Sequence, residues 1–403
     1  MKFSSKILHT LFLLILIIRC TDDPNSIGGG LIPDEDKLKY KVIDTNEEDF
    51  EQMFNSFNID SITYGTSTRI FLGQFDNIKT DLLISFLISL PDSIKTGYKD
   101  ETIILKDSWI DMLPDYWLGD STNFNFTAHK IKEHWNSVTF NKDSLDAVSN
   151  TAGPNILTDF EYNAATDTTI KFKIDSNLVK NWIVNSYDDK QFNNYGIILK
   201  PLSNKGIAGF QGLTTNPSSR YPLLYLVFKK GSATPDTIIA KPKLDIHYPI
   251  GEAVANPPQE ILLQGQFEVR GKLKIDVSNL PKDILINSAI LELTLDENET
   301  IEGTKQTNFL DVKPLSSYEN VEFDYDSTKF SFLNYSYQLK RSKNTFSGDI
   351  KRIVQGWMDD FPNEGLELRL TDANSNISKL SFYGSDNSNK ALRPKLKIFY
   401  TYR

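Results

Sequence analysis

The residues able to do chemistry are few, and their spacing suits it poorly. One cysteine in 403 residues leaves no intrachain disulfide, no C-x-x-C redox pair and no thiolate zinc site. His129 and His134 are five apart, on opposite faces of a strand and poorly together on a helix, so shared metal ligation is not expected. His247, in Asp245-Ile246-His247-Tyr248, has no second histidine nearby and reads as a surface or linker residue. No G-x-S-x-G elbow marks a serine nucleophile. Two carboxylates would serve a glycosidase, yet among 53 acids neighbours such as Asp188-Asp189 and Asp359-Asp360 arise by chance. Asp372-Ala373-Asn374-Ser375-Asn376 starts like a calcium loop without its glycine or its distal glutamate, and reads as a polar turn. Asp386-Asn387-Ser388-Asn389 reads the same way. No catalytic residue, metal ligand or cofactor is assigned, and a structural calcium has no support.

Binding chemistry is better represented. Pro114-Asp115-Tyr116-Trp117-Leu118-Gly119-Asp120 sets two adjacent aromatics between turn residues. Such a turn can present one ring to a sugar while a carboxylate takes its hydroxyls; the alternative is that Trp117 folds back to cap the domain. Tyr335 and Tyr337, two apart on an expected strand, form a second, weaker aromatic face. The candidate ligand-binding residues are therefore Asp115, Tyr116, Trp117, Tyr335 and Tyr337.

The elements that must carry them are strands. Leu291, Leu293 and Leu295 alternate with Glu292 and Thr294, Leu366, Leu368 and Leu370 with Glu367 and Arg369, and Leu396, Ile398 and Tyr400 with Lys395, Lys397 and Phe399. Each is a strand with one buried face. Five landmarks recur in order in both halves. Ser89-Leu90-Pro91 matches Asn279-Leu280-Pro281, and Trp135 to Phe140 matches Tyr318 to Phe323. Val179 to Trp182 matches Val354 to Trp357, and Asn194 to Leu199 matches Asn363 to Leu368. Phe210-Gln211-Gly212 matches Phe382-Tyr383-Gly384, each followed after ten residues by Pro222 or Pro394. Ile350, Ile353, Val354 and Trp357 at i, i+3, i+4 and i+7, behind Asp349 as N-cap, predict one short helix per repeat; Leu178, Val179 and Trp182 repeat it behind Asp175. Trp182 and Trp357 are expected as core plugs.

The start of the chain is read separately. Lys2 and Lys6 precede an apolar run from Leu11 to Ile18, too short for a bilayer, which needs about 20 residues, and apt for a secretory signal. Ile17-Ile18-Arg19-Cys20 resembles a bacterial lipobox, which implies acylation of Cys20; Arg19 stands where a small residue is usual. Thr21-Asp22-Asp23 resembles the acidic export tag of surface lipoproteins, implying an outward-facing outer-membrane location. Residues 21 to 37 are rich in Asp, Pro and Gly and read as a flexible tether; Gly28-Gly29-Gly30 is no phosphate loop, because no strand precedes it and no Lys-Ser/Thr follows. The expected organisation is a leader to residue 19, a tether over 20–40, a domain over 41–230, a Pro-rich linker over 231–259 and a second domain over 260–403. The net charge is −9, and loss of Lys2, Lys6 and Arg19 with the leader would take it to −12. With no basic block, nucleic-acid binding is not expected.

The matched run from Leu280 to Leu293 and from Val354 to Tyr400, with its weaker copy in the first half, resembles the DNRLRE domain of secreted bacterial proteins. The tether and first strand region, Ile27 to about Gly73, is also similar to an uncharacterised family of bacterial lipoproteins beginning I-G-x-x-L-I-P-x-x-D. The first resemblance implies an all-β chain of two tandem jelly-roll-like β-sandwich domains, and implies polysaccharide as a ligand class, since some relatives bind acidic polysaccharide. The functional expectation is a non-enzymatic, membrane-anchored binding or adhesion protein. Its alternative is a scaffold binding protein partners at the cell surface through open sheet edges; a third reading, a polysaccharide-cleaving enzyme, has no visible constellation.

Overall fold

The computed structural model describes residues 38–402 except 49, 60–62, 188–193, 204, 215–219, 252–258 and 324–330. The leader, Cys20, the tether to residue 37 and Asp188-Asp189 lie outside the described residues.

The chain is all-β. Two leading strands, β1 (Lys39–Asp44) and β2 (Gln52–Asn58), precede the first module. That module holds β3 (Arg69–Phe75), β4 (Ile78–Leu87), α1 (Asp92–Lys99), β5 (Ile103–Met112), β6 (Pro114–Gly119), β7 (Phe126–Lys130), α2 (Lys142–Thr151) and β8 (Leu157–Phe160). It continues through β9 (Ile170–Ile174), α3 (Ser176–Tyr187), β10 (Ile197–Pro201), β11 (Lys205–Gln211) and β12 (Leu223–Lys230). A long strand, β13 (Asp236–Ile250), leads to the second module. There follow β14 (Glu260–Gln264), β15 (Val269–Ile275), β16 (Leu285–Thr294), β17 (Phe309–Pro314) and β18 (Tyr337–Ser342). β19 (Thr345–Asp349), α4 (Lys351–Met358), β20 (Leu366–Leu370), β21 (Lys379–Tyr383) and β22 (Lys395–Tyr402) complete it.

Each module is an antiparallel sheet rolled around its own apolar core. The first runs β6-β11-β3-β4-β13-β12-β5-β9-β8, with β10 on β4 and β7 on β10. It closes where Ile156 N–H donates to Ala128 O at 2.8 Å and His129 bridges Asn155. The second runs β1-β22-β16-β19-β18-β17-β20-β15-β14-β21, with β2 on β15, and closes where Leu295 bridges Phe382. The alternation sends Leu291 and Leu293, Leu366, Leu368 and Leu370, and Leu396, Ile398 and Tyr400 into one cluster with Ile353, Val354 and Trp357 of α4. In the first module Leu178, Val179, Trp182 and Ile183 of α3 plug the equivalent core.

The helix expectation needs correcting in the first module, which has three. α2 is capped by Asn141, whose side chain accepts from Ser144 N–H at 2.9 Å, and it lays Leu145 and Val148 over Leu83 and Ile198 on the outer face of the sheet. α1 turns Ile94 and Gly97 inward, and a Cβ at Gly97 would lie 2.6 Å from Ile103 Cδ1, so Ile103 would have to move to admit one. In the second module Asp349 sits one residue outside the cap position, and its Oδ1 accepts from Lys351 and Ala289 N–H. Among the described residues no helix is long and apolar enough to cross a membrane.

The expected boundaries shift as well. The stretch read as a linker is mostly β13, an interior strand of the first module. Its first part pairs with β12 (Ile238 opposite Leu226) and its second with β4 (Asp245 opposite Ile84). Among the described residues the second module has no such strand of its own. β1 pairs with β22 (Ile43 opposite Ile398) and β2 with β15 (Phe54 opposite Leu273). Since Leu226 matches Ile398 in the repeat, Ile43 and Ile238 occupy equivalent places. Each repeat therefore hands its leading strand to the other one: β1 and β2 leave the first repeat to complete the second sheet, and β13 leaves the second to complete the first. The hydrophobic pattern could not show this, because a strand's alternation states which face is buried, not which sheet buries it.

Candidate functional site

The aromatics expected at a ligand platform hold the modules together instead. β6 lies at the sheet edge beside β11. Tyr116 is 3% exposed and packs with Phe71, Leu118 and Ile207 of the first module and Ile377 of the second. Gly303 N–H donates to Tyr116 OH at 3.1 Å, and Thr304 exchanges hydrogen bonds with both backbone groups of Trp117. A Cβ at Gly303 would lie 2.2 Å from Trp117 O, so the loop between β16 and β17 must carry glycine there. Asp115 bridges the seam, 3.0 Å from Arg69 Nε and 2.7 Å from Lys305 Nζ. Burial pushes its carboxyl up, and the hydrogen bonds from Arg69 and Lys305 outweigh that and hold it below the usual carboxylate range. The polar turn at Asp372 joins the same seam: Ser67 Oγ donates to Asn374 O and Thr68 N–H to Ser375 Oγ, both at 2.8 Å.

Trp117 folds back. Its ring meets Phe124 edge-on at 5.2 Å and lies within 16° of parallel to Tyr162. Tyr335 and Tyr337 do not share a face. Tyr335 precedes β18, is exposed and carries the Arg352 guanidinium 3.7 Å over its ring, whereas Tyr337 is buried and donates to Phe332 O at 2.8 Å. Tyr116→Ala should open the seam at the cost of about 3–5 kcal/mol; an unchanged thermal midpoint would show that this ring does not hold the modules together.

The histidines are also separate. His129 is held by Gly153 O and Thr127 Oγ1, both at 2.9 Å, and the exposed His134 stands against Tyr195. His247 is not a surface residue: it is fully buried in β13, edge-on to Tyr64 and Phe71. Among the described residues no group of three His, Cys, Asp or Glu is placed to hold a metal ion.

The outer face of the first module's sheet carries an arrangement that sequence reasoning did not single out. β12 places Tyr225 opposite Ile239 of β13 and opposite Trp109 of β5. One step from the Ile110 and Phe172 pair, Trp109 faces Lys173 of β9, and Lys173 pairs with Asp159 of β8. A straight row thus crosses five strands: Ile239, Tyr225, Trp109, Lys173 and Asp159. The Trp109 and Tyr225 rings stack at 4.9 Å, 4° from parallel. Trp109 walls a depression of about 270 Å³ with Asp159, Glu161, Lys171 and Lys173. Lys173 is anchored by Asp107 at 2.9 Å and Lys171 lies 3.9 Å from Asp111, which leaves both ammonium groups facing a wet surface. A second depression, of about 450 Å³, begins on the far side of Lys173 and includes Lys106, Asp107, Asp175 and Lys180.

Chemically this is an aromatic wall with carboxylate acceptors and ammonium donors on one open face, the means by which a protein holds a polyhydroxylated ring. The seam has a cleft of about 330 Å³ lined by Glu268, Asp311, Arg369 and Asp372, which has no aromatic wall. A signal for the row was present in Asp107-Ser108-Trp109-Ile110-Asp111-Met112. There Trp109 sits in phase with the acids, on the polar side of an alternating strand.

No family model matches the chain, and no curated protein does. Solved structures similar to it include one described as BspA_C_WT, 8% identical with a TM-score of 0.17, the likeness covering 82% of this chain and 90% of that one. Another is the Streptococcus agalactiae AgI/II polypeptide BspA C terminal domain (WT), 7% identical with a TM-score of 0.18, covering 87% and 90% respectively.

Proposed function

We propose that the protein is a non-enzymatic, lipid-anchored surface protein that binds glycan on the outer face of its first module. The observation that carries the reading is the row from Tyr225 through Trp109 to Lys173 and Asp159, whose aromatics are half-buried beside its depression. A large aromatic pair on the polar side of a sheet adds little to the core, while it offers a flat apolar surface to the face of a sugar. Asp159 and Glu161 supply acceptors for hydroxyls, and Lys171 and Lys173 supply donors. Anchoring through Cys20 would hold this face outside the cell without a spanning helix. The face mixes both charges, which favours neutral or weakly charged glycan over a strongly anionic one against a net charge of −9.

The test is a glycan array probed with the full chain, with and without calcium, beside Trp109→Ala and Trp117→Ala. Hits retained in Trp117→Ala and weakened about fivefold or more in Trp109→Ala are expected, since a stacked aromatic contributes on the order of 1–3 kcal/mol. A blank array, or hits indifferent to Trp109, would remove the reading.

A further inference from the structure

The second apolar surface of the molecule lies where the tether meets the fold. β1 is the outermost strand of the second sheet, and among the described residues one of its edges has no partner strand. Alternation turns Leu38, Tyr40 and Val42 to the outer face, where they are 67%, 82% and 39% exposed. Cross-strand register continues the patch inward: Tyr40 faces Thr401, which faces Leu285, itself 61% exposed, and Val42 faces Phe399. The Lys397 ammonium sits 5.6 Å from the Phe399 ring, while Lys39 and Lys41 of β1 alternate to the opposite face, in phase with Ile43. The acids that border the patch, Asp44 and Glu48, stand against Lys397 and Lys41. In a chain of net charge −9 this corner is apolar and edged with lysine.

We propose that this patch is a membrane-seating surface, which lies on the lipid headgroups and fixes how the second module stands on the bilayer. The inference rests on the anchor reading of Cys20. Position in the chain identifies the occupant: 17 residues separate Leu38 from Cys20. Seventeen residues reach at most about 60 Å when fully extended. An anchored Cys20 would therefore present Tyr40 to the bilayer at an effective concentration of about millimolar, where a weak surface suffices. The chemistry fits the headgroup region, which takes up amphipathic rings and short aliphatic side chains while Lys397 reaches lipid phosphates. With the second module seated, the reciprocal exchange of strands keeps the first module attached to it through two chain crossings rather than one.

The experiment uses the full chain with single cysteines introduced for an environment-sensitive fluorophore. Tyr40→Cys and Leu285→Cys sample the patch, and Val138→Cys, 64% exposed on the first module, is the control. Proteins are reconstituted into phosphatidylethanolamine and phosphatidylglycerol vesicles containing nitroxide-labelled lipid. The expected result is quenching several-fold stronger at positions 40 and 285 than at 138, with no labelling of the wild-type chain because Cys20 is acylated. Equal quenching at all three sites in vesicle-bound protein would overturn the proposal. So would self-quenching at position 40 that persists in detergent, which would make a second copy of the chain the occupant. Labelled wild-type protein that fails to float with vesicles would overturn the anchor reading, and the seating surface with it.

Discussion

Residues 260–403 expressed alone should be molten or aggregated, and should fold cooperatively when a peptide spanning residues 38–59 is added in trans. The segment contains β14 to β22, yet the sheet they form lacks β1 and β2, which come from the other end of the chain. Without them β22 loses its outer neighbour and β15 one of its partners. Ile43 leaves the core, and Phe54 leaves the backbone of Gly384, against which its ring is packed. Burying side chains of this size contributes about 1.5–3 kcal/mol each, and a lost strand also strips a row of hydrogen bonds from two interior strands, against a typical total of about 5–15 kcal/mol. Residues 63–251 should behave differently, because they keep β13 and with it a complete sheet. Far-ultraviolet circular dichroism with urea titration of both fragments checks this. Cooperative unfolding of 260–403 without the peptide would falsify the exchanged arrangement.

The second large effect is expected at His247. It is fully buried, and neither ring nitrogen has a hydrogen-bond partner among the described residues. Burial pushes its imidazole down to about 3 from 6.5. The unfolded chain takes up that proton from about pH 6.5 downward, the folded chain only near 3, so this group's contribution to stability is lost as the pH falls through that window. Two residues earlier Asp245 behaves oppositely. Burial raises its carboxyl to about 6, partly offset by the 2.8 Å hydrogen bond from Leu213 N–H. Its contribution is complete below 3.8 and is lost as the pH rises through 6. Between pH 4 and 6 the two slopes oppose, and below 4 histidine acts alone.

His247→Leu should therefore stabilise the protein by about 1–3 kcal/mol at pH 7, the cost of an unpartnered buried polar group. The gap to wild type should widen by a further amount of about 4–5 kcal/mol on reaching pH 3. Asp245→Asn should show the mirror image, its advantage being largest at pH 7 and fading toward pH 4. Urea denaturation across pH 3–8 measures both gaps. A His247→Leu gap that stays constant with pH would mean that the imidazole is not held neutral in the fold.

The two leucine-rich strands at Leu366 and Leu396 and the helix stripe ending in Trp357 were legible because each states its own buried face through a period of two or 3.6. Trp182 and Trp357 were legible as plugs for the same reason. α1 and α2 were not, since α1 buries only Ile94 and Gly97 and α2 covers only an outer sheet face with Leu145 and Val148. Tyr116 and Trp117 were singled out correctly as unusual, but their sequence context is the same whether a sugar or the loop at Gly303 covers them. Tyr335 and Tyr337 were misjudged because the strand starts between them, at a boundary that no side-chain pattern marks.

The sequence by itself determined that the chain is all-β, that it is a tandem of two related units, and which face of each alternating strand is buried. Burial of apolar side chains is a local demand that alternation records directly. Only the tertiary structure decided which sheet each strand completes, that β1, β2 and β13 cross between repeats, and that Trp109 meets Tyr225 and Lys173 in one row. Those choices depend on register between strands far apart in the chain, where the relevant energies belong to pairs of residues and not to either one.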